Sequence, residues 1–143
     1  MFIGEYNHTI DAKGRMAVPI KMRGQLSDGA VVTRGVDTCL FIYPKTEWDT
    51  LATKLANLPL TDTKARAFVR LMLSGAMDVE FDKQGRILLP AYLRSYAGLK
   101  KEAVIVGLYN RLEVWDDKKW QEFKDKTAEN EKDITDHLAT LGV

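Results

Sequence analysis

The chain has little of what disulfide-linked, metal-binding and membrane proteins need. Its single cysteine, Cys39, cannot build a disulfide framework, and its two histidines, His8 and His137, lie far apart with no second ligand at metal spacing. No apolar run approaches the roughly 20 residues that cross a bilayer, and the N-terminal segment lacks the features of a signal peptide. We therefore predict no metal site, no membrane partner and a cytoplasmic location.

Groupings typical of enzymes are also missing. There is no Ser, His and Asp set, no pair of catalytic carboxylates and no glycine loop of the kind that holds phosphates. Cys39 has no candidate base nearby in sequence, and a small buried residue at the start of a strand is the simpler interpretation. We predict no catalytic residue, no enzymatic activity and no cofactor.

The charge of the chain is unevenly distributed. A net charge of +1 combines residues 1–112, with 16 Lys and Arg against 11 Asp and Glu, and residues 113–143, with 5 against 9. A basic body can bind a phosphate backbone, and an acidic tail lowers non-specific affinity. A solvated, charged helix explains the tail equally well.

An internal repeat organises the sequence. The segment Asp11 to Pro19 (DAKGRMAVP) returns 71 positions later as Asp82 to Pro90 (DKQGRILLP), and the correspondence extends to Arg23 with Arg94. After a one-residue insertion, three further pairs match at a spacing of 72: Gly35 with Gly107, Leu40 with Leu112, and Trp48 with Trp120. Two related halves are predicted.

Each half reads as strand, tight turn, strand, short helix and a second hairpin. Alternation over Tyr6 to Ile10 and around Glu80 predicts the first strands. Prolines 19 and 90 suit the start of short helices ending near Gln25 and Ala97. The second hairpins are expected at 31–35 with 40–43 and at 104–108 with 112–115. The apolar segments 16–18 and 87–89 are expected to be buried on both sides.

Helices are predicted between the halves and after them. The first begins at Pro44, has Trp48, Leu51, Leu55 and Leu58 on one face, and stops at Pro59. The second covers about 62–73, where Phe68, Val69, Met72 and Leu73 form a face expected to pack in the core. Alternatively, the helices around Trp48, Phe68 and Trp120 lie between barrels or between subunits. The tail is expected to be helical near Trp120 and Phe123 and then loosely ordered or docked on a neighbour.

The two Asp-x-x-x-Arg motifs, Asp11 to Arg15 and Asp82 to Arg86, closely resemble those of the MraZ family. The opening MFIGEY, the segments TRG at 33–35 and LFIYP at 40–44, and ARAF at 65–68 are also similar to that family, and neither motif departs from its pattern. The likeness covers most of the chain.

That resemblance implies an α+β fold: two pseudo-symmetric swapped-hairpin β-barrel halves of the AbrB and SpoVT type, with intervening and C-terminal helices. It divides the chain into a first half (5–47), a helical linker (48–75), a second half (76–119) and a charged C-terminal helix or tail (120–143). It further implies a nucleoid-associated homo-oligomer, shaped as a ring. Such a regulator binds double-stranded DNA at direct repeats in the promoter of the division and cell-wall gene cluster.

The expected site residues occupy the two turns and the helices that follow. Arginine can fork onto guanine or phosphate, and lysine can neutralise phosphate as a point charge. The predicted DNA-binding residues are Arg15, Arg86, Lys13, Lys83, Arg23 and Arg94. The predicted turn-shaping residues are Asp11, Gly14, Asp82 and Gly85, because Asp caps turns and Gly accepts positive φ.

Alternatives remain at this stage. Arg15 and Arg86 could instead form ion pairs with the turn aspartates, and Arg23 and Arg94 suit a solvated helix face or a structural ion pair as well as DNA contact. A ring-forming interaction protein or antitoxin-like partner could use the same fold. RNA binding is less favoured, since the hairpins lack exposed aromatic platforms.

Overall fold

Each half of the repeat contributes four strands, and the strands of the two halves interleave in the computed structural model, which describes all 143 residues. The strands are β1 Phe2–Thr9, β2 Arg15–Ala17, β3 Ala30–Arg34, β4 Leu40–Pro44, β5 Met77–Val79, β6 Arg86–Leu88, β7 Glu102–Tyr109 and β8 Leu112–Asp116. The helices are α1 Ile20–Arg23, α2 Lys45–Ala56, α3 Thr63–Ser74, α4 Ala91–Ala97, α5 Asp117–Glu129 and α6 Glu131–Thr140, and a 3-10 turn at Gly24–Leu26 follows α1. The α+β class is confirmed.

The sheet order shows how the halves exchange strands. A six-stranded sheet runs β1-β7-β8-β4-β3-β5, and β2 pairs with β6 in a second sheet of two strands. All neighbours are antiparallel, and exchanging each strand for its counterpart in the other half reproduces the same order reversed. The halves are therefore swapped about a pseudo-twofold axis, as the resemblance implied, with open sheets in place of a closed ring of strands.

This exchange changes the predicted first hairpins. The arms on either side of the first turn touch through one isolated bridge, Ile10 to Met16, whereas β2 pairs along its length with β6. The first arms pair with the opposite half, β1 with β7 and β5 with β3. The predicted second hairpins, β3 with β4 and β7 with β8, are confirmed.

Apolar clusters cover both faces of the large sheet. The larger one contains 19 buried residues, including Met16, Ile87, Leu89 and Leu93, and joins the two-stranded sheet to the six-stranded one. Burial on both faces explains the continuous apolar runs of the central strands. The expectation of two-sided burial at 87–89 is wrong, because Leu88 is 54% exposed and only one face of β6 is covered.

The second face of the large sheet carries the outer helices. Leu55 of α2 and Met72 of α3 are buried there, with Phe41, Tyr43 and Trp115 of the sheet. The Asp62 carboxylate accepts a hydrogen bond from the backbone N–H of Ala65 (2.9 Å) and so caps α3. Core packing fails at one predicted position, since Phe68 is 42% exposed. Leu58 lies beyond the end of α2 and is 38% exposed.

The C-terminal segment is more regular than its composition suggests. It forms two consecutive helices, α5 and α6, so the expectation of a loosely ordered end is wrong for this chain. Glu131 and Asp133 lie in the first turn of α6, where acidic residues stabilise the helix dipole. None of the residues of α6 is buried. None of the helices is long and apolar enough to span a bilayer.

Candidate nucleic-acid interface

The two Asp-x-x-x-Arg turns have the same internal hydrogen bonds. In the first loop (11–15), Oδ1 of Asp11 accepts from the backbone N–H groups of Lys13 (3.0 Å) and Arg15 (2.9 Å). In the second loop (82–86), Oδ1 of Asp82 accepts from the corresponding groups of Gln84 and Arg86, both at 2.9 Å. Each turn is therefore specified by its own aspartate.

Glycine is required at the fourth position of each loop. Gly14 has φ +88° and Gly85 has φ +75°, in the region that L side chains rarely adopt. The backbone N–H of each glycine donates to the carbonyl of the aspartate three residues earlier, at 2.9 Å for Gly14 and 3.0 Å for Gly85. Both loops consequently have the same shape despite different residues at their tips.

The loop arginines are held by the same carboxylates. Nε of Arg15 donates to Oδ2 of Asp11 at 2.6 Å, and Nε of Arg86 donates to Oδ2 of Asp82 at 2.8 Å. The side chains keep 35% and 28% of their surface exposed, and neither arginine uses a terminal nitrogen in a hydrogen bond within the chain. The predicted ion pairs thus exist, and they leave the terminal N–H groups available.

The loops lie next to each other across the pseudo-twofold axis. Nη1 of Arg86 is 3.7 Å from Oδ2 of Asp11, so an arginine of one half approaches the aspartate of the other. The β2 to β6 pairing sets this distance, because Arg15 and Arg86 are the first residues of the paired strands. Sequence spacing alone, 71 residues, could not have placed the two arginines together.

The hydrogen bonds also keep both aspartates ionised. The backbone N–H of Arg15 is the main cause that lowers the pKa of Asp11, and the Arg15 side chain and the Lys13 N–H add to it. The backbone N–H of Arg86 likewise lowers the pKa of Asp82. At neutral pH the carboxylates remain charged acceptors and hold the guanidinium groups in a fixed plane.

Arg23 and Arg94 occupy positions that the sequence did not reveal. Nε of Arg23 donates to the carbonyl of Val18 at 2.7 Å, and its guanidinium lies over Gly85 of the opposite loop. A Cβ at Gly85 would be 2.3 Å from Cζ of Arg23. The second loop thus leaves room for an arginine of the first half.

The reciprocal contact has the same form. Nε of Arg94 donates to the carbonyl of Leu89 at 2.9 Å, and a Cβ at Gly14 would be 2.7 Å from that nitrogen. The backbone N–H of Leu89 also donates to the carbonyl of Gly14 at 2.9 Å. Both arginines are half-buried and brace the loop of the other half. The matched positions of Arg23 and Arg94 in the repeat indicated that they have equivalent roles. Nothing in the sequence indicated that each contacts the loop of the other half.

The lysines of the loops point to solvent. Lys13 and Lys83 are exposed, and neither forms an ion pair within the chain. Two further lysines, Lys100 and Lys101, lie beside the first loop and were not predicted; both line a depression with Asp11 and Arg94. The structure therefore gathers the six predicted basic residues and an additional pair around two adjacent turns.

A buried polar network supports the sheet and was also missed. Glu113 on β8 accepts from Nη2 of Arg111 and from Nε1 of Trp115, each at 3.0 Å. Glu113 and Trp115 alternate along β8, and Arg111, just before the strand, continues the same spacing, which is the signal that could have revealed the network. Burial raises the pKa of the neighbouring Cys39 thiol, so this cysteine is an inert core residue.

Comparison with known proteins relates both halves of the chain to one family. A family model described as "MraZ protein, putative antitoxin-like" matches twice, over residues 1–71 and 72–141, and each match contains one Asp-x-x-x-Arg loop. The chain is 50% identical over 143 residues to a protein of Halothermothrix orenii, with 100% of each chain covered. It is 54% identical over 138 residues to one of Ligilactobacillus salivarius, with 96% of each covered. A third relative, from Thermoanaerobacter pseudethanolicus, is 46% identical over 143 residues, 100% of each chain.

All three relatives bear the name "Transcriptional regulator MraZ". The alignments with the Halothermothrix orenii and Thermoanaerobacter pseudethanolicus proteins span all 143 residues, so they include both loops and the outer helices. The chain belongs to the MraZ family.

Proposed function

We propose that this chain is a sequence-specific DNA-binding transcriptional regulator that binds promoter direct repeats as a homo-oligomer through its paired Asp-x-x-x-Arg loops. Its target is the division and cell-wall gene cluster, and its place in the cell is the nucleoid. The observation that carries the proposal is the juxtaposition of two loops whose arginines are fixed through Nε, with no terminal N–H group used in a hydrogen bond within the chain. The names of the relatives support the same function.

The geometry suits recognition of a duplex. A guanidinium whose plane is fixed by a carboxylate loses less conformational freedom when it binds, and its two terminal nitrogens can fork onto guanine O6 and N7 or onto a phosphate. Lys13 and Lys83 at the loop tips add phosphate contacts. Arg23 and Arg94 act mainly by bracing the loops, and part of each side chain stays exposed.

Oligomerisation follows from the small number of contacts. A few phosphate contacts per chain give weak binding, and joining several chains on successive repeats raises the effective concentration of each later contact. Two unlike surfaces of the chain support a head-to-tail assembly. An apolar groove between α2 and α3 is lined by Leu58, Leu60 and Val69. The positive charges of Arg66 and Arg70 flank it, whereas α6 carries more acidic than basic residues.

The apolar side of α6 has no partner within the chain. Ile134 and Leu138 are one helical turn apart and are 42% and 36% exposed, among acidic residues that include Asp133 and Asp136. A contact between two different surfaces closes into a ring when its rotation allows closure. We propose that α6 of one copy packs in the α2–α3 groove of the next.

The test is a fluorescence anisotropy titration on the promoter upstream of the gene, with the mass of each variant measured by light scattering. Arg15→Ala and Arg86→Ala should each weaken specific binding by roughly 10- to 100-fold, since a bidentate base contact contributes about 1–3 kcal/mol. The double variant should show no preference for the promoter, and its oligomeric mass should be unchanged. Lys126→Ala, an exposed lysine on α5, is the matched control and should bind as the wild type does.

Unchanged affinity in the double variant would reject these residues as the DNA contacts. An oligomer that binds no duplex at low salt would favour the other candidate, an antitoxin-like interaction module, which the family description suggests. Tighter binding to single-stranded RNA than to the promoter would also contradict the proposal.

A further inference from the structure

The surfaces beside the two loops carry opposite charges. Next to the first loop, a depression is lined by Asp11, Arg94, Lys100 and Lys101. The main chain holds this flank against the loop, because the N–H of Ile10 donates to the carbonyl of Lys101 at 2.8 Å. We name this surface, Lys100 with Lys101, the first flank.

The equivalent surface beside the second loop is acidic. A depression there is lined by Asp28, Gly29, Glu80 and Phe81. At the spacing of 72, Lys100 corresponds to Asp28 and Lys101 to Gly29, and at the spacing of 71 Glu80 corresponds to Thr9. We name this surface, Asp28 with Glu80, the second flank. The pseudo-twofold axis therefore relates a flank that carries two lysines to a flank that carries two carboxylates, although only Lys100 and Asp28 are direct counterparts.

These charges are available to a ligand. All four side chains are exposed, and none forms an ion pair within the chain. Glu102, Asp116, Asp117 and Lys118 also border Lys100 and Lys101. Of these acids, Asp116 is buried and caps α5 by accepting from the N–H of Lys119. The two depressions together hold four basic residues and four acids, but Asp11 is paired with Arg15 and Asp116 is buried. Among the exposed side chains, three lysines (Lys100, Lys101 and Lys118) therefore face two acids (Glu102 and Asp117).

The position of the flanks makes the difference matter for DNA. The two loops meet at the axis, and each flank lies beside its own loop, so the flanks are on opposite outer sides of the pair. A duplex that crosses both loops meets lysines at one end and carboxylates at the other. Phosphates bind the former and are repelled by the latter.

We propose that the pair of loops binds DNA with a fixed polarity, in which Lys100 and Lys101 contact the phosphate backbone beside the first loop and Asp28 and Glu80 exclude it beside the second. This inference rests on the proposed function. A DNA-binding surface with opposite charges at its two ends recognises a site that has a direction, so successive chains of an oligomer bind repeats in the same orientation. A surface with the same charge at both ends would suit a palindrome.

The experiment measures the salt dependence of binding to a duplex with a single promoter repeat. Each phosphate contact contributes about −0.9 to the slope of log K against log salt concentration. In the double variant Lys100→Ser with Lys101→Ser, the magnitude of that slope should decrease by up to about 1.8. The decrease should be the same for promoter DNA and for unrelated DNA. Asp28→Lys, at the position equivalent to Lys100, should gain about 0.9 and bind more tightly. Lys126→Ser, the control, should retain the wild-type slope.

A hydroxyl-radical footprint tests the polarity directly. With the double lysine variant, protection of the backbone should shorten at one end of the repeat only, and with Asp28→Lys it should lengthen at the other end. An unchanged slope in both variants, or a footprint that shortens equally at both ends, would overturn the inference. In that case wild-type binding that is lost on changing Arg15 and Arg86 would leave the proposed function intact. A wild-type protein without salt-dependent binding would overturn both.

Discussion

The two halves of this chain are alike at their centre and unlike at their periphery. At the centre, Arg23 lies over Gly85 and Arg94 lies over Gly14. The two loops form equivalent hydrogen bonds within their turns. At the periphery, α2 and α3 bury Leu55 and Met72, whereas their counterparts α5 and α6 bury no residue.

The difference shows what the exchange of strands demands. At the axis the strands and arginines of one half pack on the loop of the other, so a substitution in one half alters a surface that the other half contacts. Away from the axis the two halves do not contact each other in this way, and there Lys100 occupies the position whose counterpart is Asp28. Similarity in the repeat thus indicates the shared centre, and divergence indicates surfaces with separate roles.

The largest effect is expected in the shared core. Ile87→Ala and its counterpart Met16→Ala remove side chains that are 1% and 0% exposed, and each should lower the free energy of unfolding by about 2–5 kcal/mol. Ile134→Ala in α6, where the side chain is 42% exposed, should change the stability of the isolated chain by no more than about 0.5 kcal/mol. Urea unfolding at one protein concentration measures all three. Equal losses would contradict the contrast between centre and periphery.

The loop glycines allow a finer test. Gly14→Ala should cost about 1–3 kcal/mol, because positive φ is strained for alanine and a Cβ would be 2.9 Å from the rigid carbonyl of Leu89. Gly85→Ala should cost less, since the atoms that its Cβ would meet belong to the flexible Arg23 side chain. Gly24→Ala, with φ −58° and open space around it, is the control and should be neutral or slightly stabilising. Thermal unfolding measures the melting temperature of each variant. A lower melting temperature for Gly85→Ala than for Gly14→Ala would contradict this prediction.

The smallest effect is a dependence on pH in the first half alone. Burial, and secondly the charge of Arg23, lower the pKa of His8 below its usual 6.5, whereas the counterpart of His8 is Val79. The unfolded chain then binds a proton more readily than the folded one, so stability is complete above about pH 6.5 and decreases as the pH falls below it. The melting temperature should drop between pH 7.5 and pH 5.5, and His8→Gln should reduce that drop. An identical drop in the variant would show that other groups cause it.

Much of the fold was predictable from the chain. The second hairpins, the helices that begin after Pro19, Pro44 and Pro90, and the apolar faces of α2 and α3 follow from periodicity and turn chemistry. Phe68 was expected in the core because of its spacing and is 42% exposed, since a helix packs along a narrower stripe than its apolar residues cover. The helical order of the acidic tail was underestimated, since acidic residues favour a helix when they lie at its N-terminus, as Glu131 and Asp133 do in α6.

The site was predictable in kind and less so in arrangement. Asp, Gly and Arg at fixed spacing indicated two shaped turns with basic side chains, and the division of the chain at 47, 75 and 119 stays a prediction. Arg23 and Arg94 were predicted to extend the DNA contact along the short helices, and the structure places each guanidinium over the loop of the other half. That contact joins residues about 60 to 80 positions apart, and no local pattern encodes it.

By itself the sequence determined the local chemistry: which residues turn, which alternate, and which carry charge, because these properties depend on neighbours along the chain. Only the tertiary structure decided which half supplies the partner of each strand, why Gly14 and Gly85 must lack a side chain on the side of the opposite arginine, and which charges share a flank. Those outcomes depend on contacts between distant segments, and such contacts form only when the strands of the two halves pair with each other.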